Sequence, residues 1–346
     1  MGKDNMNESL DQILKEITKD LSGDTEKDIK YLNKKCEEYK NHQYSKEIIR
    51  ALSRIIYDLL PEENKKDIFQ IVSNRQQSYQ SALDEVRFNM FKKDFEKALS
   101  LIQSLVDDIE NLGFFQDDQA SEYYTFNSWF EEILYKVINE PERDVRRADF
   151  PYSHIYFLYG NILVELGRVE EAEKVLKEAL RWNPCDSMIR FEYLETLKMR
   201  GMLKEYLEGV SEAFKYIYDP IYLARAYRDL GYYFIEKKMY PEATTMYYLS
   251  LEFDKENKNA TSELYYIEQT VGKRIQPLEM TELRRLAEIY AFPIGADRRV
   301  LSVAYSIGKK LFDYKNPNAA YFLNIVYKLT KDNAIHEMIA QIEKTA

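Results

Sequence analysis

In three places an alanine follows a glycine by twelve residues inside an otherwise helical pattern: Gly160 and Ala172, Gly231 and Ala243, Gly308 and Ala320. Small residues on two successive helices let their backbones approach closely, and bulky residues around that contact fill the gaps. The spacing therefore predicts an αα-hairpin wherever it occurs. One such hairpin cannot bury both of its faces, so copies must stack on either side. A chain with this recurrence is constrained to a helical solenoid.

The clearest copy runs from 153 to 186, with a turn at Leu166-Gly167-Arg168. Tyr156, Tyr159, Gly160 and Leu163 fall at the i, i+3, i+4 and i+7 spacing of one helix face, and Ala172, Leu176 and Ala179 continue the stripe until Pro184 stops the second helix. With Tyr156, Tyr159-Gly160, Leu163, Ala172, Leu176, Ala179 and Pro184 at these offsets, the stretch resembles a tetratricopeptide repeat. The resemblance implies an all-α fold, a right-handed superhelical solenoid of helix-turn-helix repeats, degenerate at the N-terminus.

The rest of the chain sorts around that copy. Residues 1–111 read as an N-terminal helical region with degenerate repeats. Its amphipathic first helix carries Leu10, Ile13, Leu14, Ile17 and Leu21, and Ile49 and Ile56 stand at the small-residue positions of a first, poor repeat. Residues 64–92 read as one or two helices, and Ala98, Ile102 and Leu105 mark the helix that follows. Residues 112–152 break the pattern as an insertion or junction: an irregular acidic stretch, an aromatic helix at 126–138, and a segment bracketed by Pro141 and Pro151. Trp129 on that helix is expected to be buried as part of a wedge between the N-terminal helices and the central repeat. The array proper is 153–257. Within it, 187–220 loses the signature, with Leu194 in place of glycine and Tyr206 in place of alanine, and 224–257 regains it. Residues 258–346 hold a helix pair whose second member opens at Pro277, the loop FPIGADRR, a last repeat from 301 and a capping helix.

A net charge of -10 speaks against sequence-independent nucleic-acid binding, which needs lysine and arginine against phosphates. No apolar run is long enough to span a membrane, the first residues lack a signal-peptide pattern, and two distant cysteines, Cys36 and Cys185, suggest no disulfide framework. The expectation is a cytoplasmic protein with no membrane and no nucleic-acid partner. His42, His154 and His336 lie in different repeats without ligand spacing, and no phosphate loop or nucleophile elbow occurs, so no catalytic residue, metal or cofactor is expected. Acidic pairs such as Glu131-Glu132 read as solvated surface. Arg143, Arg146 and Arg147 could hold an anion, or could pair with Glu140, Glu142, Asp144 and Asp149.

The tetratricopeptide resemblance also implies which side chains face a groove: the second, fifth, ninth and twelfth positions of each first helix. These are His154, Phe157, Asn161 and Val164 in one repeat, and Arg225, Arg228, Tyr232 and Ile235 in another. The carboxylate clamp of some relatives is not reproduced, because Asn161 and Arg225 suit it while Phe157, Glu192 and Asp229 do not. The function expected is non-enzymatic: a protein-protein interaction module or scaffold holding a peptide or partner segment that carries an acidic group, with His154, Phe157, Asn161, Arg225, Arg228 and Tyr232 as contacts. Arg225 and Arg228 could instead pair internally with Asp229 or Glu192. The alternatives are a peptide-sensing regulator that switches conformation, similar to bacterial repeat proteins of that kind, and a subunit of an enzyme complex.

Overall fold

The computed structural model describes residues 9–112, 115–148 and 150–345. Two compact units emerge: residues up to Tyr123 with Glu142–Arg146, and Tyr124–Pro141 with Arg147–Ala346. No helix among the described residues is long and apolar enough to cross a membrane.

The first unit begins with α1 (Leu10–Lys19), α2 (Thr25–Glu38) and α3 (Ser45–Leu59). Ser9 and Gln12 form a reciprocal capping box that starts α1. Ile13 and Ile17 then face Leu32, Ile48 and Leu52 in a small core. The buried Asp28 carboxylate accepts hydrogen bonds from the backbone of Ser22 and Gly23 and from the Ser22 hydroxyl, which fixes the turn between α1 and α2. Among the described side chains of α3, Glu47, Ile48 and Leu52 are buried; Ile49 and Ile56, expected at the close contact, are only partly buried. The register there is offset from the repeat frame. The stretch expected as one or two helices is a single one, α4 (Glu62–Phe91), which packs on α5 (Phe95–Leu112) with Leu83, Val86, Ala98 and Ile102 buried.

Two short strands, β1 (Ser121–Tyr124) and β2 (Asp144–Arg147), pair in the segment expected to be irregular. The acidic residues ahead of β1 have a structural task. Asp117 accepts the Tyr123 N–H, and Asp118 accepts those of Ala120 and Ser121. Alternation over four residues is too short to announce a strand against the surrounding acids.

The second unit holds α6 (Trp129–Asn139), α7 (Tyr152–Glu165), α8 (Val169–Trp182), α9 (Ser187–Met199), α10 (Leu203–Ala213), α11 (Pro220–Glu236), α12 (Tyr240–Phe253), α13 (Lys258–Val271), α14 (Met280–Ile289), α15 (Arg298–Asp313), α16 (Ala319–Thr330) and α17 (Asn333–Thr345). Helices α7 with α8, α11 with α12, and α15 with α16 are the three hairpins marked by the glycine spacing. Pro277 lies outside α14, which is capped at Glu279, so it does not open that helix.

The close contact inside these hairpins is made one turn beyond the alanine. A Cβ at Gly160 would sit 2.5 Å from Leu176 Cγ, and one at Gly231 would sit 2.8 Å from the Tyr247 ring. Ala172 and Ala243 are fully buried beside those residues. In the last hairpin Gly308 faces Leu323, the buried alanine is Ala319, and Ala320 is partly exposed. The working spacing there is one residue shorter than the sequence suggests. The degenerate hairpin of α9 and α10 inverts the arrangement: the glycine is Gly209, on the second helix, and the side chain entering its space is Leu194. Knob and hole have exchanged helices, which preserves close approach without the signature.

Helix α6 belongs to this unit and packs on α15. Phe130 is buried against Tyr218 and Phe322, and Leu134 is fully buried. Trp129, expected inside, is 57% exposed and touches Phe322 only edge to face. As the first residue of α6 it falls on the side turned from the core. Glu131, expected on the surface, is 1% exposed. Its carboxylate accepts from the Asn127 backbone (2.7 Å), the Asn183 side chain (2.9 Å) and the Tyr218 hydroxyl (2.9 Å).

Candidate functional site

The residues expected to face a ligand divide between α7 and α11. On α7, Phe157 is buried and its ring lies 6.3 Å from that of His154, so it serves the packing of the repeat more than an open wall. Asn161 and Val164 are half-buried. The α11 set forms a network with α9 and α12. Arg225 lies 3.4 Å from Glu192 Oε1 and 3.6 Å from Glu195 Oε1, and its guanidinium sits 4.9 Å from the Phe191 ring centre. Arg228 donates to the Ser250 hydroxyl at 3.1 Å and approaches Asp254 at 3.5 Å. Burial lowers the pKa of Arg228, opposed by the Asp254 charge. Tyr232 packs edge to face on Tyr206, and Lys198 lies 4.7 Å above its ring while pairing with Glu195.

Helical geometry explains this clustering. Glu192, Glu195 and, one turn on, Lys198 share a face of α9, and Arg225, Arg228, Asp229 and Tyr232 share a face of α11. Two neighbouring faces of opposite charge meet. Arg225 does pair with Glu192, one of the internal partners expected of it; the partners of Arg228 are Ser250 and Asp254.

Asp229 stands apart because it is enclosed. Burial raises its pKa to about 7, with Arg225 pulling the other way, Glu195 adding to the rise, and Lys198 and Arg228 moderating it. Among the described residues, neither its Oδ2 nor the buried Tyr206 hydroxyl finds a hydrogen-bond partner, yet the two lie close enough for the carboxylate to add to the rise that burial imposes on the tyrosine. Spacing alone marked Asp229 only as a position unsuited to a carboxylate. Its enclosure depends on Tyr206, at a position where alanine is usual, and no local pattern announces that.

The arginine cluster of the junction is occupied. Arg143 pairs with Glu122 and donates to the Asp118 carbonyl, Arg146 pairs with Asp144, and Arg147 bonds Glu132 and the Ser128 carbonyl. Of the acidic partners expected from sequence, Asp144 is one these contacts use. Of the tyrosines whose frame positions predict a core role, Tyr156, Tyr227 and Tyr247 are buried and Tyr159 is half-buried. Among the described residues no three histidine, cysteine or acidic side chains converge as metal ligands would.

A family model described as tetratricopeptide repeat matches residues 153–184, the α7–α8 hairpin. That hairpin is a tetratricopeptide repeat. The α11–α12 and α15–α16 hairpins repeat its close glycine contact, at Gly231 against Tyr247 and at Gly308 against Leu323. Among solved structures, the chain is similar to one titled as a functional characterization of Pseudomonas aeruginosa PilF, at 12% identity and a TM-score of 0.40, covering 79% of this chain and 100% of that one. It is also similar to a chain of the APC/C hetero-tetramer Cut9-Hcn1, at 11% identity and a TM-score of 0.37, covering 96% of this chain and 59% of that one. No curated protein matches the sequence. A tetratricopeptide fold suggests a protein-protein interaction or scaffold role.

Proposed function

We propose that the protein is a non-catalytic interaction scaffold which holds an extended partner segment against α7, α9 and α11. The observation that carries this reading is the loosely held state of Arg225. Its contacts to Glu192 and Glu195 are 3.4 Å or longer, and its side chain stays 26% exposed. A partner carboxylate can replace such contacts with shorter, better aligned ones, while Asn161 can both donate to and accept from a peptide backbone. Arg228 is more deeply enclosed, and its bonds to Ser250 and Asp254 give it a second, structural part in holding α11 to α12.

The reading is tested by capturing partners from the native cell with the parent and with the Asn161→Ala, Arg225→Ala double variant. Loss of one partner by more than about tenfold, from a variant whose circular dichroism remains that of the folded parent, is the expected result. Equal capture by both proteins would remove these helices from consideration.

A further inference from the structure

A concave site lies beside the FPIGADRR loop. A cleft of about 710 Å³ opens between α14 and the start of α15. That volume is within the range of ligand-binding clefts. One part of its wall is apolar, formed by Met280, Ala287, Pro293 and Ile294; the rest is charged and includes Arg284, Glu288 and Arg298.

The wall is held in place before any ligand arrives. The Tyr227 hydroxyl donates to the Pro293 carbonyl at 2.8 Å and accepts the Gly295 N–H at 2.7 Å, and the Ser211 hydroxyl donates to the Tyr290 carbonyl at 2.9 Å. Phe292 is buried beside Phe214. Gly295 takes a φ of 90°, which a side chain would strain, so the loop turns sharply where it is anchored. A preformed cleft avoids much of the ordering cost of binding.

The charges are unequally committed. Asp297 caps α15 and holds Arg299 through both carboxylate oxygens, so those two neutralise one another. Arg284 and Arg298 are exposed, and among the described residues neither has an ion-pair partner. In a chain with net charge -10, two uncommitted arginines beside an apolar wall are a specific feature. Glu288 on the same rim repels a polyanion such as nucleic acid, whereas a single carboxylate flanked by an aliphatic side chain matches both surfaces.

We propose that this cleft binds an acidic segment of a partner polypeptide, with a carboxylate between Arg284 and Arg298 and an aliphatic neighbour on Ala287, Pro293 and Ile294. The site uses none of the groove residues and stands independently of the scaffold reading above. The test is fluorescence anisotropy with a fluorescein-labelled peptide of alternating leucine and glutamate, beside a counterpart with lysine in place of glutamate. The acidic peptide should saturate below about 1 mM and bind at least about tenfold more weakly to the Arg284→Ser, Arg298→Ser double variant. Its affinity should fall with added salt, because the recognition is through exposed charges. Tyr227→Phe, which removes the anchor of the loop and no charge, should weaken binding while circular dichroism remains that of the parent. The Asn161→Ala, Arg225→Ala variant should bind like the parent, which separates this site from the groove. Absence of saturation, equal binding of the lysine peptide, or undiminished binding by the double arginine variant would overturn the proposal.

Discussion

The Glu131 carboxylate accepts a hydrogen bond from the Tyr218 hydroxyl at 2.9 Å, across 87 residues of sequence. The same carboxylate accepts from Asn183, in the turn that closes the first clear repeat, and from the Asn127 backbone just ahead of its own helix. One buried acid therefore joins α6 to the ends of two successive repeats. The neighbouring Cys185 thiol donates to the Glu131 carbonyl, and burial holds that thiol well above its usual pKa, so it stays protonated. Glu131→Ala would leave the donors of Asn127, Asn183 and Tyr218 without this acceptor, that of Asn183 fully buried. The expected loss is about 3 kcal/mol in chemical denaturation, against about 1 kcal/mol for Tyr218→Phe, which removes only one bond. Equal losses from the two variants would show that Glu131 does not act as a hub.

The contact between Gly160 and Leu176 gives a second expectation. Alanine is favoured over glycine by about 1 kcal/mol in a helix interior, but a Cβ at Gly160 would meet Leu176 Cγ at 2.5 Å. That atom is the branch point of the side chain and cannot swing aside alone. Overpacking should win, with Gly160→Ala destabilising by about 1–3 kcal/mol. Adding Leu176→Ala should produce a coupling energy of opposite sign, because the second change removes the atoms that clash. Strict additivity in that double-mutant cycle would place the two residues apart.

The repeats were legible because their signal is local. Gly160 and Gly231, with the alanines twelve residues on, report a close approach within one hairpin, and a chain read in order can register it. Gly308 shows the limit. The turn between α15 and α16 differs from those of the other two hairpins, and the buried alanine moves from Ala320 to Ala319; both choices look alike on paper. The exchange between Leu194 and Gly209 was illegible for a related reason, since a hole carried by the second helix leaves the first-helix signature blank. Among the candidate site residues, the groove positions on α11 did come together with α9, but Phe157 went to the core. The Glu131 hub and the cleft beside Arg284 depend on partners tens of residues away, which no periodicity encodes.

The two tryptophans offer a direct optical check of the junction. Trp182 is 6% exposed and stacks on Tyr152 with ring centres 4.1 Å apart. Trp129 is mostly in solvent at the start of α6. Iodide should therefore quench the Trp182→Phe variant, in which only Trp129 emits, close to the rate of free tryptophan. The Trp129→Phe variant should be largely protected. Protection of both would mean that Trp129 is covered in solution.

Asp229 makes stability depend on pH in a direction opposite to that of an ordinary salt-bridged carboxylate. Burial raises its pKa from an ordinary 3.8 to about 7, against the pull of Arg225, Lys198 and Arg228. Below the unfolded value both states hold the proton, and burying the neutral acid carries no charge penalty. As pH rises toward 7 the unfolded chain ionises first, so the folded state is progressively disfavoured. The contribution is fully present below about pH 4 and is lost by the time the folded group has ionised. Asp229→Asn, which keeps the shape and removes the ionisation, should match the parent near pH 4 and exceed it in stability above pH 7, by no more than about 4 kcal/mol. Arg225 is the largest favourable influence on the buried charge, so Arg225→Ala should widen that difference. Melting temperatures measured from pH 4 to pH 8 on the parent and both variants decide the matter: a constant gap between Asp229→Asn and the parent across that range would mean that Asp229 keeps an ordinary pKa in the fold.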